Sequence, residues 1–281
     1  MQNTIFALKR QLVEVGKRVY DRGYVASNDG NISARIDDKR VVITPTGVSK
    51  GFMKQEDMVI VDYDGKVLSG KGKPSSEVFM HLRIYRERTD VNSVCHAHPP
   101  YATGFAVAGR SLEDCVLPEV VIVLGGIPLV EYGTPGTDEF YTPVLKYLPN
   151  HDAFLLANHG ALAIGKDILS AYHKMETLEH FAHIAFVAQQ LGQVTTLSSD
   201  QVDKLMALRQ KFGITTAAGC VSCANDGTGS CSMANKTGPG ATKDGKAVPC
   251  SSYRERDLIH SGIDKESLIK QVTQAVLEQI D

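Results

Sequence analysis

The stretch Val94-Cys-His-Ala-His-Pro-Pro100 carries two histidines, separated by one residue, at the end of a short apolar run. Alternate side chains of an extended strand face the same way, so His96 and His98 are predicted to project from one face. A catalytic zinc ion usually takes three protein ligands and keeps a fourth position open, so the pair needs a third ligand. We predict that His159, which also follows an apolar run, supplies it. Chance is the alternative in a chain with nine histidines.

Composition limits the class of protein. The 281 residues, 43% hydrophobic and 22% charged, suffice for one large domain and an appendage. The net charge of −2, without a basic stripe interleaved with aromatics, argues against nucleic acid as a partner. No signal peptide and no apolar run near ~18 residues is present, so we expect a soluble, cytoplasmic protein without a membrane partner. Six cysteines do not resemble the disulfide framework of small secreted domains.

Hydrophobic periodicity predicts a mixture of helices and strands. The predicted helices span residues 5–21, 77–88, 101–108, 138–148 and 167–191. The predicted strands span residues 41–43, 58–61, 66–68, 120–124, 127–130 and 153–157. Because the order has no strict βαβ rhythm, the pattern indicates a mixed α/β sheet layered with helices.

Three loops rich in small residues, 26–33, 44–49 and 70–76, flank these elements. Exposed backbone N–H groups, hydroxyls and a helix N-terminus together favour a phosphate. Each loop alone is better explained as an ordinary turn, and only the three together favour a phosphate site. Ser75 and Ser76 also fit the N-cap of the helix that Glu77 begins.

Five motifs occur in the order and spacing of the class II aldolase/adducin family. They are Asp29-Gly-Asn-Ile-Ser33, Ile43-Thr-Pro-Thr-Gly47, Lys73-Pro-Ser-Ser-Glu77, His96-Ala-His98 and Asn158-His-Gly160. The chain therefore resembles this family over roughly residues 4 to 213, and within it most resembles the fuculose-1-phosphate aldolases. The resemblance implies a three-layer α/β/α fold with a central, mainly antiparallel sheet. It also implies a C4 homotetramer with active sites at the subunit interfaces.

The resemblance assigns roles to residues of this chain. It implies one zinc ion per subunit on His96, His98 and His159, with Glu77 as an acid/base that can also occupy the open position of the metal. The residues implied for the substrate phosphate are Gly30, Asn31, Thr46, Gly47, Ser75 and Ser76. The expected reaction is reversible cleavage of a ketose 1-phosphate, such as L-fuculose 1-phosphate, to dihydroxyacetone phosphate and L-lactaldehyde, with zinc as the Lewis acid.

Other activities stay open within this resemblance. L-Ribulose-5-phosphate 4-epimerases usually carry aspartate where Glu77 stands, which favours an aldolase. L-Rhamnulose 1-phosphate is an alternative substrate, and a non-catalytic adducin-type module would be expected to lack the three histidines. The compared aldolases carry a tyrosine just before a glycine-rich turn, but residues 117–126 contain none. Glu119, Tyr132 and Tyr253 are the candidates to replace it.

The chain after the resemblance changes character. We expect residues 1–213 to form the aldolase domain, 214–257 a Gly/Ser/Cys-rich linker and 258–281 an amphipathic helix. The apolar stripe of that helix is Leu268, Ile269, Val272, Val276 and Ile280. A linker with such a helix resembles the encapsulation peptides of bacterial microcompartments, so a shell protein is the hypothesised partner; docking on its own tetramer is the alternative. The linker cysteines, expected to be free thiols rather than ligands of zinc or an iron–sulfur cluster, are Cys220, Cys223, Cys231 and Cys250.

Overall fold

A central eight-stranded sheet organises the computed structural model, which describes residues 2–192 and 194–214. The strands are β1 Asn31–Arg35, β2 Arg40–Ile43, β3 Val59–Asp62, β4 Val67–Ser69, β5 Ser93–Ala97, β6 Leu129–Val130, β7 Ala153–Leu156 and β8 Gly160–Gly165. Their order is β4-β3-β2-β1-β5-β8-β7-β6. All neighbours pair antiparallel except β6 and β7, which confirms the mixed, mainly antiparallel sheet.

Helices cover both faces of this sheet. They are α1 Gln2–Asp21, α2 Val78–Glu87, α3 Pro100–Val107, α4 Pro118–Val123, α5 Asp138–Tyr147, α6 Ile168–Gln190 and α7 Ser199–Lys211. Two short 3₁₀ helices, Lys50–Phe52 and Gln55–Asp57, lie between β2 and β3. Buried residues of α1, α3, α4 and α6 pack in one core cluster, and those of α2 and α5 pack in another.

The strands divide their side chains between the two cores. In β2, Val42 belongs to the first cluster, whereas Val41 and Ile43 belong to the second. This alternation follows from the two-residue period of a strand and gives three layers, helices on both sides of the sheet. In β5, Cys95 and Ala97 face the first cluster, so His96 faces the side of α2 and α5.

The strand predicted over residues 120–124 is wrong, because this segment forms α4. Its run of β-branched residues is typical of a strand. However, Pro118 stands in the first turn, where its fixed φ suits a helix and its missing N–H costs nothing. Tertiary packing favours the helix here, since Val120 and Leu124 pack into the first core cluster from one helical face. Of the strand predicted over 127–130, only Leu129–Val130 is present.

Three further elements differ from the prediction. The loop predicted over 26–33 ends at Gly30, because β1 begins at Asn31. Strand β8 was not predicted, since Gly160-Ala-Leu-Ala-Ile-Gly165 has one β-branched residue and two glycines. Helix α7 was also not predicted. A capping box between Ser198 and Gln201 starts it.

Within the described ranges, no helix has the length and apolarity that crossing a membrane requires. The predicted terminal helix over 258–281, the four linker cysteines and nearly all of the predicted linker lie outside the described residues. The boundary near residue 213 therefore stays a prediction.

Candidate metal centre and active site

The first two histidines lie at the carboxyl end of β5. His96 is buried, and its Nδ1 donates to the carbonyl of Ala161 in the neighbouring β8 at 2.8 Å. A carbonyl only accepts, so the hydrogen of this ring is on Nδ1 and Nε2 keeps a lone pair. His98 follows the strand, and its backbone N–H donates to the carbonyl of Tyr24 at 2.9 Å. Both rings therefore leave β5 with defined positions.

The third histidine comes from the turn between β7 and β8. Asn158 adopts a left-handed conformation with φ of 56°, which asparagine tolerates better than most residues. The N–H of His159 bonds to the carbonyl of Leu156 at 3.0 Å and closes the turn. The ring of Phe140 then packs edge-on against the ring of His159, with centroids 4.9 Å apart. The short turn and this packing bring His159 over the end of β5.

The three imidazoles converge as a metal site requires. The Nε2 atom of His96 lies 3.2 Å from Nε2 of His98 and 3.0 Å from Nε2 of His159. Nitrogens bound tetrahedrally at ~2.0–2.1 Å from zinc are ~3.3 Å apart, so the donor set fits. Across residues 2–192 and 194–214, this is the one group of three potential ligands with such convergence. The histidines predicted from the sequence are therefore brought together.

Glu77 is the fourth group of the cluster. It is the N-cap residue of α2, and its carboxylate is buried against the histidines. Oε1 lies 3.0 Å from Nε2 of His159, and Oε2 lies 3.3 Å from Nε2 of His96. The carboxylate thus lies within 3.3 Å of two of the nitrogens that would hold a metal.

Burial and charge set the protonation of these groups. Burial lowers the pKa of His96 to about 3, although Glu77 opposes the shift. The pKa of His98 is also lowered, mainly by burial. Burial alone would raise the pKa of Glu77, but His96, His159 and Asn31 together hold it well below its usual value. The lowered pKa values favour neutral imidazoles at His96 and His98 and a carboxylate at Glu77, which are the protonation states that a divalent cation needs.

The predicted phosphate loops lie beside one another. The N–H of Thr46 donates to the carbonyl of Lys73 at 3.0 Å, and an isolated bridge pairs Pro45 with Pro74, so the second and third loops touch. Lys50 joins the first loop to the second, because its Nζ donates to the carbonyls of Asn28 at 3.0 Å and Val48 at 2.7 Å.

The individual phosphate-site candidates occupy different surroundings. Gly30 lies against β5, where an added Cβ would be 2.8 Å from the carbonyl oxygen of His96. Thr46, Gly47 and Ser76 are exposed at the loops. Buried Ser75 accepts from the N–H of Glu77 at 3.3 Å. An open pocket of about 440 Å³ next to these loops is lined by Tyr20, Ser27, Asn28, Gly47, Ser49 and Phe52.

Asn31 differs most from the sequence prediction. Its side chain is buried in β1, where Nδ2 donates to Oε2 of Glu77 at 2.6 Å and Oδ1 lies 2.5 Å from Nε2 of His81. One N–H of the amide remains for another partner. His81 was missed as a site-related residue, although its position four residues after Glu77 places it on the same helix face.

Asp29 was likewise not singled out as a site residue. Its Oδ2 lies 3.6 Å from Nδ1 of His98, the nitrogen that faces away from the cluster. Carboxylates beside the outer nitrogen of a ligating histidine orient the ring and make it more basic. Its place in the Asp29-Gly-Asn-Ile-Ser33 motif was the available signal.

Comparisons with known proteins agree with this geometry. Residues 10–186 match the model of the Class II Aldolase and Adducin N-terminal domain. An L-fuculose phosphate aldolase of Methanococcus maripaludis is 38% identical over 181 residues, 64% of this chain and 97% of that protein. A 3-oxo-tetronate 4-phosphate decarboxylase of Haemophilus influenzae is 33% identical over 190 residues, 66% of this chain and 90% of that protein. A solved L-fuculose 1-phosphate aldolase is similar with a TM-score of 0.68 and 31% identity, over 74% of this chain and 96% of that one.

Proposed function

The chain belongs to the class II aldolase and adducin family, and from this premise we propose that it is a zinc-dependent aldolase acting on a ketose 1-phosphate. The expected substrate is L-fuculose 1-phosphate, and the products are dihydroxyacetone phosphate and L-lactaldehyde. One observation carries the proposal: Nε2 atoms of His96, His98 and His159 converge with the Glu77 carboxylate in their midst.

Glu77 would carry the proton in this reaction. A zinc ion on the three histidines would supply a Lewis acid for the ketose oxygens. Cleavage of the C3–C4 bond leaves an electron pair on C3, and protonated Glu77 would deliver its proton there. In the condensation direction the carboxylate would remove the same proton. The hydrogen bond from Asn31 holds one carboxylate oxygen in place for this transfer.

The loops would hold the phosphate of the substrate. The exposed backbone of Gly47 and the hydroxyls of Thr46, Ser75 and Ser76 are chemically suited to an oxyanion. Ser75 lies two residues before Glu77, the N-cap of α2, and its hydroxyl accepts the N–H of Glu77. A phosphate bound there would fix the position of the sugar relative to the Glu77 carboxylate.

A group that exchanges a proton with the aldehyde fragment is also required, because the C4 hydroxyl must lose its proton during cleavage. No tyrosine stands in residues 117–126. Glu119 and Tyr132 are both exposed, and Tyr253 lies outside the described residues. These three residues are the candidates for this role.

A decarboxylase is the second candidate, favoured by the 33% identity with a 3-oxo-tetronate 4-phosphate decarboxylase. Loss of carbon dioxide from that 3-oxo acid leaves the same dihydroxyacetone phosphate fragment with an electron pair to protonate. The residues around Glu77 suit both reactions, so the second product distinguishes them: an aldehyde or carbon dioxide.

A substrate panel tests the proposal. The full-length protein, stripped by EDTA and reloaded with zinc, is incubated with L-fuculose 1-phosphate, L-rhamnulose 1-phosphate, 3-oxo-tetronate 4-phosphate and L-ribulose 5-phosphate. Dihydroxyacetone phosphate is followed with a coupled dehydrogenase, and aldehyde and carbon dioxide are measured separately. We expect zinc-dependent dihydroxyacetone phosphate and lactaldehyde from fuculose 1-phosphate. A new pentulose phosphate without fragmentation indicates an epimerase instead. Unchanged activity after chelation refutes the proposal that the reaction depends on zinc.

Two variants of one helix serve this assay. Glu77→Ala should lower kcat by roughly 10²- to 10⁴-fold, the usual contribution of a general acid/base. Glu87→Ala removes an exposed carboxylate at the other end of α2 and should leave kcat unchanged. Equal activity of both variants would remove Glu77 from the mechanism.

We also propose the organisation of the whole protein. Residues 1–213 would form the catalytic domain of a cytoplasmic homotetramer, and residues 258–281 would bind a microcompartment shell protein. The motif resemblance supports the first part and the apolar stripe of the terminal segment supports the second.

A further inference from the structure

Five buried polar side chains form a continuous ladder that ends at the candidate acid/base. Glu77 is the N-cap of α2, and His81 and Tyr85 lie within that helix. Asn31 and Ser33 lie in β1. The contacts alternate between the two elements. They measure 2.6 Å from Glu77 to Asn31, 2.5 Å from Asn31 to His81, 2.7 Å from His81 to Ser33 and 2.7 Å from Ser33 to Tyr85.

The ladder follows from matching repeat lengths. Four residues of a helix advance ~6 Å, and two residues of a strand advance ~6.6 Å. Residues 77, 81 and 85 lie on one face of α2, and residues 31 and 33 lie on one face of β1. The two polar faces therefore interleave without a change of register, inside an otherwise apolar layer.

The hydrogen bonds of the ladder have one direction. An ionised carboxylate only accepts, so Asn31 uses its N–H on Glu77 and presents its oxygen to His81. That oxygen also only accepts, so Nε2 of His81 carries the hydrogen. Burial lowers the pKa of His81 to about 4, so Nδ1 is bare and accepts the hydroxyl hydrogen of Ser33. Tyr85 then donates to Ser33. Every donor points toward Glu77.

The far end of the ladder is anchored. The guanidinium of Arg35 lies 5.0 Å from the centroid of the Tyr85 ring, and its Nη2 donates to the Tyr85 carbonyl at 2.7 Å. Its Nη1 also donates to the hydroxyl of Tyr63 at 2.6 Å. Tyr85 and His81 are both buried, so water cannot replace their hydrogen-bond partners in the ladder.

We propose that His81 is a positioning residue, which holds the Asn31 amide and through it the Glu77 carboxylate in the orientation that proton transfer needs. Without the Nε2 hydrogen of His81, the Asn31 amide is free to rotate and present its oxygen to the Glu77 carboxylate, which would repel it. The inference rests on the proposed function, because it gives His81 a part in the proton transfer by Glu77.

A matched pair of variants tests the role. The amide nitrogen of glutamine reaches the position of histidine Nε2, and that of asparagine reaches the position of Nδ1. His81→Gln should therefore keep the donor to Asn31 and stay within about 3-fold of the original kcat. His81→Asn should lower kcat by roughly 10- to 100-fold, as loss of such supporting partners does, while KM changes far less. Thermal unfolding and zinc content, measured on both, show that each variant is folded and loaded. Equal kcat in the two variants overturns the proposal.

A second measurement needs no activity. In protein labelled with ¹⁵N-histidine, the two ring nitrogens of a neutral imidazole have distinct chemical shifts. The signal of His81, identified by its loss in His81→Gln, should show hydrogen on Nε2 and none on Nδ1. Hydrogen on Nδ1 would contradict the ladder. If no sugar phosphate reacts, the proposed function fails; if the substrate reacts but His81 has the other tautomer, this inference alone fails.

Discussion

At the scale of single residues, the candidate metal centre depends on the close approach of Gly160 to β5. A Cβ at this position would lie 2.6 Å from the carbonyl oxygen of Ala97, 2.6 Å from Cδ2 of His98 and 3.3 Å from Cε1 of His96. Gly160→Ala must therefore push β8 or both rings away. We expect about 1–3 kcal/mol lower stability and at least ~10-fold weaker zinc binding, because small displacements of ligands are costly. Thermal unfolding and zinc titration measure both.

Gly104→Ala is the matched control for that substitution. Gly104 is exposed in α3, and an added Cβ meets no atom within 4 Å. Alanine in an exposed helix should stabilise the protein by up to ~1 kcal/mol and leave zinc binding unchanged. Zinc binding that survives in Gly160→Ala as well as in Gly104→Ala would contradict the close-approach argument.

The burial of Lys50 makes its contribution to stability depend on alkaline pH. Burial lowers its pKa to about 8, although Asp29 opposes the shift. The unfolded chain holds this proton up to about pH 10.5, so it binds more protons than the folded chain between pH 8 and 10.5. Stability should therefore rise across this window by roughly 3 kcal/mol for this group. The neutral amine still has the two N–H donors that the carbonyls of Asn28 and Val48 accept.

Comparison with Lys50→Met isolates that effect. Methionine has a similar length and no charge, so the difference in unfolding free energy between the two proteins should move in favour of lysine as pH rises from 8 to 10.5. Urea unfolding at several pH values measures it. A difference that stays constant with pH would show that Lys50 titrates normally in the folded protein.

At the scale of elements, α3 is tied to α6 through its N-terminus. The Glu179 carboxylate accepts the N–H groups of Tyr101 and Ala102 at 3.0 and 2.8 Å, two donors that the first turn of a helix leaves unpaired. Glu179→Ala buries both without a partner and should cost about 2–4 kcal/mol in urea unfolding. Because α3 begins two residues after His98, weaker zinc binding should accompany the loss.

The neighbouring residue supplies the control for this helix contact. His180 is exposed on α6, so His180→Ala should change stability by less than ~0.5 kcal/mol. Glu179→Gln keeps one acceptor and should lose about half as much as the alanine variant. Equal losses for Glu179→Ala and His180→Ala would refute the capping role.

At the scale of the whole molecule, catalytic activity and shell binding should depend on different segments of the chain. The three histidines and Glu77 all lie within residues 77–159, and the proposed shell-binding segment follows residue 257. Deleting residues 250–281 should therefore leave the activity in solution unchanged and abolish co-purification with shells. Unchanged co-purification refutes the hypothesis. As finer variants, Val272→Asp alters the apolar stripe and should weaken shell binding, whereas Gln274→Asp lies off it and should not.

The sequence alone determined the parts of this protein that local pattern encodes. The three- and four-residue spacing of apolar residues in α1, the β-branched run of β2 and the turn signal between β3 and β4 are local patterns, and the structure confirms the elements that they predict. The pair His96 and His98 is also local, because His96 lies near the end of β5 and His98 directly follows that strand. The ligand role of His159 rested on a similar context and on resemblance, not on geometry.

Only the tertiary structure decided what depends on segments that are distant in the chain. His96 and His159 are 63 residues apart, and no local pattern states that their nitrogens lie 3.0 Å from each other. The run at 120–124 is helical because the core accepts one of its faces, against its β-branched composition. The ladder from Tyr85 to Glu77 likewise exists because α2 packs along β1 in one register. The pattern of polar and apolar residues specifies which face of a helix or strand is buried. Which other element covers that face depends on how the whole chain packs.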